Sequence, residues 1–177
     1  MAWTTPMTAV AGAFSASAWN THVRDNLLET LPAKATTVGS YFTANATNSI
    51  GQRSCESDRA STGPASFNSS SFIAFSPGVS VTVDVPATGA VMFFFAARAN
   101  CNIGNAPIFF GVGGGGITVL EEDCVLIDGI SASNNNRMAG SSVHTGLTPG
   151  STVFSMHGRA GGGTWTISNM ELIALPL

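Results

Sequence analysis

Pro77-Gly78-Val79-Ser80-Val81-Thr82-Val83-Asp84-Val85-Pro86 is the stretch that decides the fold. Val79, Val81, Val83 and Val85 alternate with Ser80, Thr82 and Asp84. That alternation puts the valines on one side of an extended strand and the polar set on the other. Pro77-Gly78 before it and Pro86-Ala87-Thr88-Gly89 after it are turn signals. Ala90-Val91-Met92-Phe93-Phe94-Phe95-Ala96-Ala97 then follows. It is too short to span a membrane and too aromatic for a loop. It reads as a strand buried on both faces, or buried once in the core and once against another subunit. Phe93, Phe94 and Phe95 are the candidate residues for that burial.

Working outward, Pro107 to Val112 and Ile117 to Ile127 read as strands, with Gly113 to Gly116 as the turn between them. Thr148-Pro149-Gly150 introduces a strand over Ser151 to Ala160. Gly161-Gly162-Gly163 turns it into the last one, Thr164 to Leu175. Ser57 to Ser71 reads as a long surface loop. Some eight short strands separated by Gly and Pro turns predict a mainly-β chain, an antiparallel jelly-roll sandwich over residues 33–177.

The first 32 residues are of another kind. Pro6 forbids a helix running through from the start, so an extended arm is expected. Ser15 or Ser17 can then cap a short α-helix that Pro32 stops. Trp19, Val23, Leu27 and Leu31 recur at every fourth position as one apolar stripe, which Leu28 widens. Arg24, Asp25 and Glu29 lie off that stripe. A helix of about four turns is marginal alone in water and needs a surface to dock on. Asn20, Arg24, Asp25 and Asn26 offer it a hydrogen-bonding face, or else a plain solvated one. Trp3 and Pro6 belong to the arm.

Only 10% of the residues are charged, against roughly 25% in ordinary soluble domains. A surface so poor in charge fits burial in an assembly, the plainer alternative being a Ser/Thr/Asn-covered sandwich. The net charge is −3 and the basic residues form no stripe, so no nucleic-acid partner is expected. Neither membrane insertion nor a secretory leader is expected. Cys55, Cys101 and Cys124 match no zinc spacing and read as reduced thiols.

The candidate chemistry is thin, and no cofactor or metal is expected. The Gly111–Gly116 run is followed by Ile117-Thr118-Val119, a strand pattern, whereas phosphate binding needs a helix start there. Glu121, Glu122 and Asp123 could supply oxygens to a cation, or Glu121 with Asp123 a glycosidase pair on one strand face. A solvated acidic cluster is the plainer account. His22, His144 and His157 are widely separated and fit no local catalytic signature. The chain is expected not to be an enzyme.

Trp3-Thr4-Thr5-Pro6, followed by Asn20-Thr21-His22-Val23-Arg24-Asp25-Asn26, resembles the N-terminal segment of structural proteins of tailed bacteriophages. Trp19 departs from the aliphatic residue usual there. Leu147-Thr148-Pro149-Gly150 with Val153 to Met156, and Gly163 to Asn169 with Leu172 to Leu175, are similar in style to the C1q/TNF-like jelly-roll heads of phage fibre, tail-tip and decoration proteins. The resemblance implies a virion component, assembled in the host cytoplasm. It implies a homotrimer docked on other virion proteins by residues 1–32, and a minor tail or fibre protein in particular. A capsid decoration or head-fibre protein is the alternative. A carbohydrate-binding module is a reading of another class, with Tyr41 and Trp165 as its aromatic faces and a host-surface glycan as partner.

Overall fold

The computed structural model describes residues 36–46, 49–128 and 131–177. The arm and helix expected over residues 1–32 lie outside the described residues, and with them Trp3, Pro6, Trp19, Asn20, Val23, Arg24, Asp25, Asn26, Leu27 and Leu31. The chain divides into two compact units, Met1–Ser54 and Cys55–Leu177. In the first, β1 (Tyr41–Ala46) and β2 (Ser49–Arg53) pair antiparallel, with Tyr41 opposite Arg53. The Gln52 side chain ties down the lead-in. Its Oε1 accepts from the Thr36 hydroxyl at 2.9 Å, and its Nε2 donates to Ser40 Oγ at 2.7 Å.

The second unit is an antiparallel, jelly-roll-like sandwich of two sheets. Sheet I runs β3 (Glu56–Thr62), β11 (Trp165–Pro176), β6 (Val91–Cys101) and β9 (Asn136–His144). Sheet II is built on β10 (Gly150–Ala160). On one side β10 pairs β7 (Ile108–Gly114), which pairs β8 (Val125–Ile127). On the other it pairs β5 (Ser80–Val85), and further along β4 (Ile73–Ala74). From β5 to β7, and again from β8 to β11, the chain changes sheet at every connection. Proline and glycine at 86–89 make one of these crossings, where the Gly89 N–H donates to the Pro86 carbonyl at 2.9 Å.

The valine alternation is realised in β5, whose side chains are alternately exposed and buried. Phe93 and Phe95 point inward from β6 and meet the opposite sheet. Phe93 packs on Phe154 with ring centroids 5.0 Å apart, and Phe95 on Phe110 at 6.2 Å. Trp165, Ile167, Met170, Leu172, Ile108 and Met156 complete the core. Burying side chains of this size contributes about 1.5–3 kcal/mol each before entropy is charged, so this layer dominates stability.

Two expectations about elements are corrected. Ser57 to Ser71 is not all loop, because β3 occupies Glu56–Thr62 at the edge of sheet I. Its residues are polar because one side of it meets solvent, and charged side chains suit an edge strand. Ile117 to Ile127 is not one strand. Gly114, Gly115 and Gly116 all have positive φ, at 91°, 58° and 87°, and fold the chain back so that Ile117 bridges to Gly114. Glu121–Asp123 then forms a 3-10 turn, leaving only Val125–Ile127 extended.

Candidate functional site

The outward face of sheet I is the surface that the core does not explain. Successive residues of a strand point to opposite sides, so the inward Phe93 and Phe95 force Phe94 outward. Phe94 is 41% exposed. In register beside it lie Ser141 of β9 and Ile173 of β11. One step along, Met92 lies between Val143, which is 51% exposed, and Leu175. This end of the face is therefore apolar across three strands.

The other end of the same face is basic. Ala96 sits between Ala139 and Glu171, and Glu171 stands opposite Arg59 of β3. Arg98, next outward on β6, stands directly opposite Arg137 of β9. Arg59 Nη2 donates to both Glu171 carboxylate oxygens at 3.2 Å, and Arg137 Nη2 donates to Oε2 at 3.1 Å. Arg137 Nη1 also donates to the Asn169 carbonyl at 3.0 Å. That carbonyl is available because the β6–β11 register shifts between Ser168 and Glu171, with Asn169 at φ 46°. Asparagine tolerates this left-handed conformation better than most side chains. A hollow of about 400 Å³ lies over Arg59, Ala60, Ser61, Arg137 and Asn169. A second, of about 270 Å³, includes Phe94, Ala96, Arg137, Glu171 and Ile173 in its lining.

The residues singled out for catalysis or glycan contact take other places. Trp165 is wholly buried and its Nε1 donates to the Gly162 carbonyl at 3.1 Å, so it presents no face to a sugar. Tyr41 is half-buried in β1 of the N-terminal unit. Glu121 is ion-paired with Arg159. Glu121 and Asp123 occupy a 3-10 turn, which removes the strand geometry that would have aligned them on one face. Arg159 lies over the Phe109 ring, 4.6 Å from its centroid, with Phe72 at 5.6 Å. His144 shares a hydrogen bond of 3.1 Å with Ser142 Oγ and packs edge-on against Phe93.

The glycines of β7 serve packing. A Cβ on Gly113 would come within 2.7 Å of the His157 ring, and one on Gly111 within 2.8 Å of Cys124 Sγ. Burial holds His157 below its ordinary value, favouring the neutral ring. Burial, with Asp123 and Glu121 nearby, pushes the Cys124 thiol up to about 12, so it is no nucleophile near neutral pH. Cys55, Cys101 and Cys124 are free thiols. Among the described residues no group of three or more His, Cys, Asp and Glu could hold a metal ion. No helix there is long and apolar enough to cross a membrane.

No protein-family model matches the chain, and no curated protein matches it. Solved structures do resemble it. A structure of the infectious bursal disease virus Gx strain is 13% identical, over 72% of this chain and 34% of that one, with a TM-score of 0.40. The VP2 subviral particle of the same virus is 9% identical, over 74% of this chain and 36% of that one, with a TM-score of 0.46. The carbohydrate-binding module CBM6cm-2 from Cellvibrio mixtus lichenase 5A, in complex with cellotriose, is 13% identical, over 81% of this chain and 92% of that one, with a TM-score of 0.36. The chain spans about a third of the length of those viral chains.

The structures named are of infectious bursal disease virus and of carbohydrate-binding modules, and none of them is a tail or fibre protein of a tailed bacteriophage. The tailed-bacteriophage resemblance, and the minor tail or fibre assignment drawn from it, are corrected accordingly. At such low identity, with TM-scores below 0.5, the likeness assigns no role, and function is argued from the surface. The sheet topology itself shows a mainly-β, antiparallel jelly-roll-like sandwich. The exposed basic half of sheet I escaped the reading of the sequence, whereas the apolar half contains Phe94, one of the three phenylalanines it singled out. Arg59, Arg98, Arg137 and Glu171 are scattered along the chain, and only the strand register unites them.

Proposed function

We propose that this chain is a non-enzymatic structural subunit that associates with copies of itself, as a homotrimer, in the outer shell or decoration of a virus particle. One observation carries the reading. Met92, Phe94, Val143, Ile173 and Leu175 form a contiguous apolar strip on the outward face of sheet I, unpartnered by the sandwich itself. Contiguous exposed apolar patches mark interaction surfaces, and aromatic side chains anchor them. A chain only 10% charged has little other surface to keep it apart from its neighbours. Residues 1–32 are the proposed docking segment, with Trp3, Pro6, Trp19, Val23, Leu27 and Leu31 as packing residues and Asn20, Arg24, Asp25 and Asn26 as hydrogen-bonding ones.

Size-exclusion chromatography with light scattering tests it. The full chain is expected at three times its own mass, and Phe94→Asp at one, still folded by circular dichroism. A monomeric parent chain sinks the reading. A second reading, saccharide binding, is favoured by the polar end of the same face, where hydrogen-bonding side chains adjoin the hollow that Phe94 lines.

A further inference from the structure

The described arginines are Arg53, Arg59, Arg98, Arg137 and Arg159, and three of them share the basic end of sheet I. Glu171 is the one carboxylate in register with that cluster. Asp58, the neighbour of Arg59, belongs to the opposite side of β3 and is engaged elsewhere. Its Oδ2 accepts from the Ser80 N–H at 2.9 Å and its Oδ1 from the Arg59 N–H at 2.7 Å. Three guanidiniums against one carboxylate leave a local excess of positive charge in a chain whose net charge is −3.

Two details make the excess look built for a ligand. Arg98 stands directly across from Arg137 on the same face, and like charges so placed repel. The Arg98 side chain forms no hydrogen bond or ion pair among the described residues, so nothing within the sandwich offsets that repulsion. Arg59 and Arg137, by contrast, are held in place by Glu171, and Arg137 also by the bulge carbonyl of Asn169. Two oriented guanidiniums beside one uncommitted guanidinium form a preorganised receptor for an oxyanion.

We propose that the Arg59–Arg98–Arg137 cluster binds the carboxylate or sulfate of an acidic saccharide, whose ring lies along Arg137 toward Phe94. Arg137 lines both hollows and joins the anionic subsite to the apolar one. Asn169 and Ser61 line the first hollow and can meet hydroxyls, and Phe94 offers the apolar face that sugar C–H groups need. An acidic protein segment would use the charge but not this pairing of ring and neutral polar groups. The inference rests on the saccharide-binding reading and is independent of self-association.

Calorimetric titration of the full chain with oligogalacturonate, sulfated dextran, plain dextran and a polyglutamate peptide tests it. One or both acidic saccharides are expected to bind, the better one naming the oxyanion. Plain dextran is expected not to bind, and polyglutamate to bind at least about tenfold more weakly. Arg98→Ser should weaken acidic-saccharide binding about tenfold, the usual scale for a hydrogen bond to a charged group. Because Arg98 holds nothing together, thermal unfolding of that variant should match the parent. Equal binding of plain dextran overturns the anion requirement and leaves saccharide binding standing. Silence toward every saccharide overturns both. Polyglutamate binding as tight as oligogalacturonate overturns the saccharide class, and an Arg98→Ser variant that binds like the parent overturns the site.

Discussion

The outward faces of the two sheets both carry arginine bonded to glutamate, yet they differ in how fully they are covered. On sheet II, Arg159 has its own carboxylate in Glu121 and lies over the rings of Phe109 and Phe72. His157 and Cys124 lie over the glycines of β7. Around Arg159 and His157 that face is covered by its own side chains, although Val153 and Leu126 stay exposed further along it. On sheet I, one glutamate serves two arginines, a third has no partner among the described residues, and Phe94 and Val143 stand open. Residue composition alone would not separate the faces. What separates them is whether each charge and each ring has found a neighbour inside the chain, and an unmet group is where an external partner can act.

The sharpest way to test the contrast is within β6. Phe93→Ala should destabilise the fold by about 3–5 kcal/mol, because it empties a core site facing Phe154. Phe94→Ala, one residue on, should change monomer stability by no more than about 0.5–1 kcal/mol in a denaturant titration. Equal losses would mean that Phe94 is not an open surface residue. Next in size, Gly113→Ala should cost about 1–3 kcal/mol, because the new methyl group must displace the His157 ring. A neutral outcome would show that sheet II is looser than its packing implies.

Acid gives a smaller effect. His157 is held neutral by burial, below its ordinary value of 6.5. The unfolded chain therefore takes up the proton first as pH falls, and stability present above pH 6.5 should decline on the way down through the folded value. His157→Gln should flatten that slope of stability against pH, and an unchanged slope would assign it to other groups. Smallest of all, Arg98→Ser should leave stability unchanged or raise it by a few tenths of a kcal/mol, since it removes a like-charge pair. A measurable loss would mean that Arg98 has a partner inside the protein.

Much of the sandwich was legible in the chain because local signals and tertiary packing agreed. The valines of β5 alternate, and the runs at β6, β10 and β11 are bounded by proline or glycine turns. Legibility failed where polar residues build structure. β3 is an edge strand of Ser, Asp, Arg and Thr, and no apolar period announces it. Ile117 to Ile127 has strand-like composition, but the positive-φ glycines before it and the 3-10 turn within it break the extended run. Trp165 shows the same limit for function, since an aromatic beside a glycine turn can face a ligand or the core, and this one lies in the core.

By itself, then, the sequence determined the class of fold, the position of its main strands and the scarcity of charge, because period and turn chemistry are local properties. Only the tertiary structure decided that Phe94 faces out between two inward phenylalanines. It also brought Arg59, Arg98, Arg137 and Glu171, from four separate strands, onto one end of one face. Strand register is set by which residues must enter a shared core, and that choice involves both sheets at once.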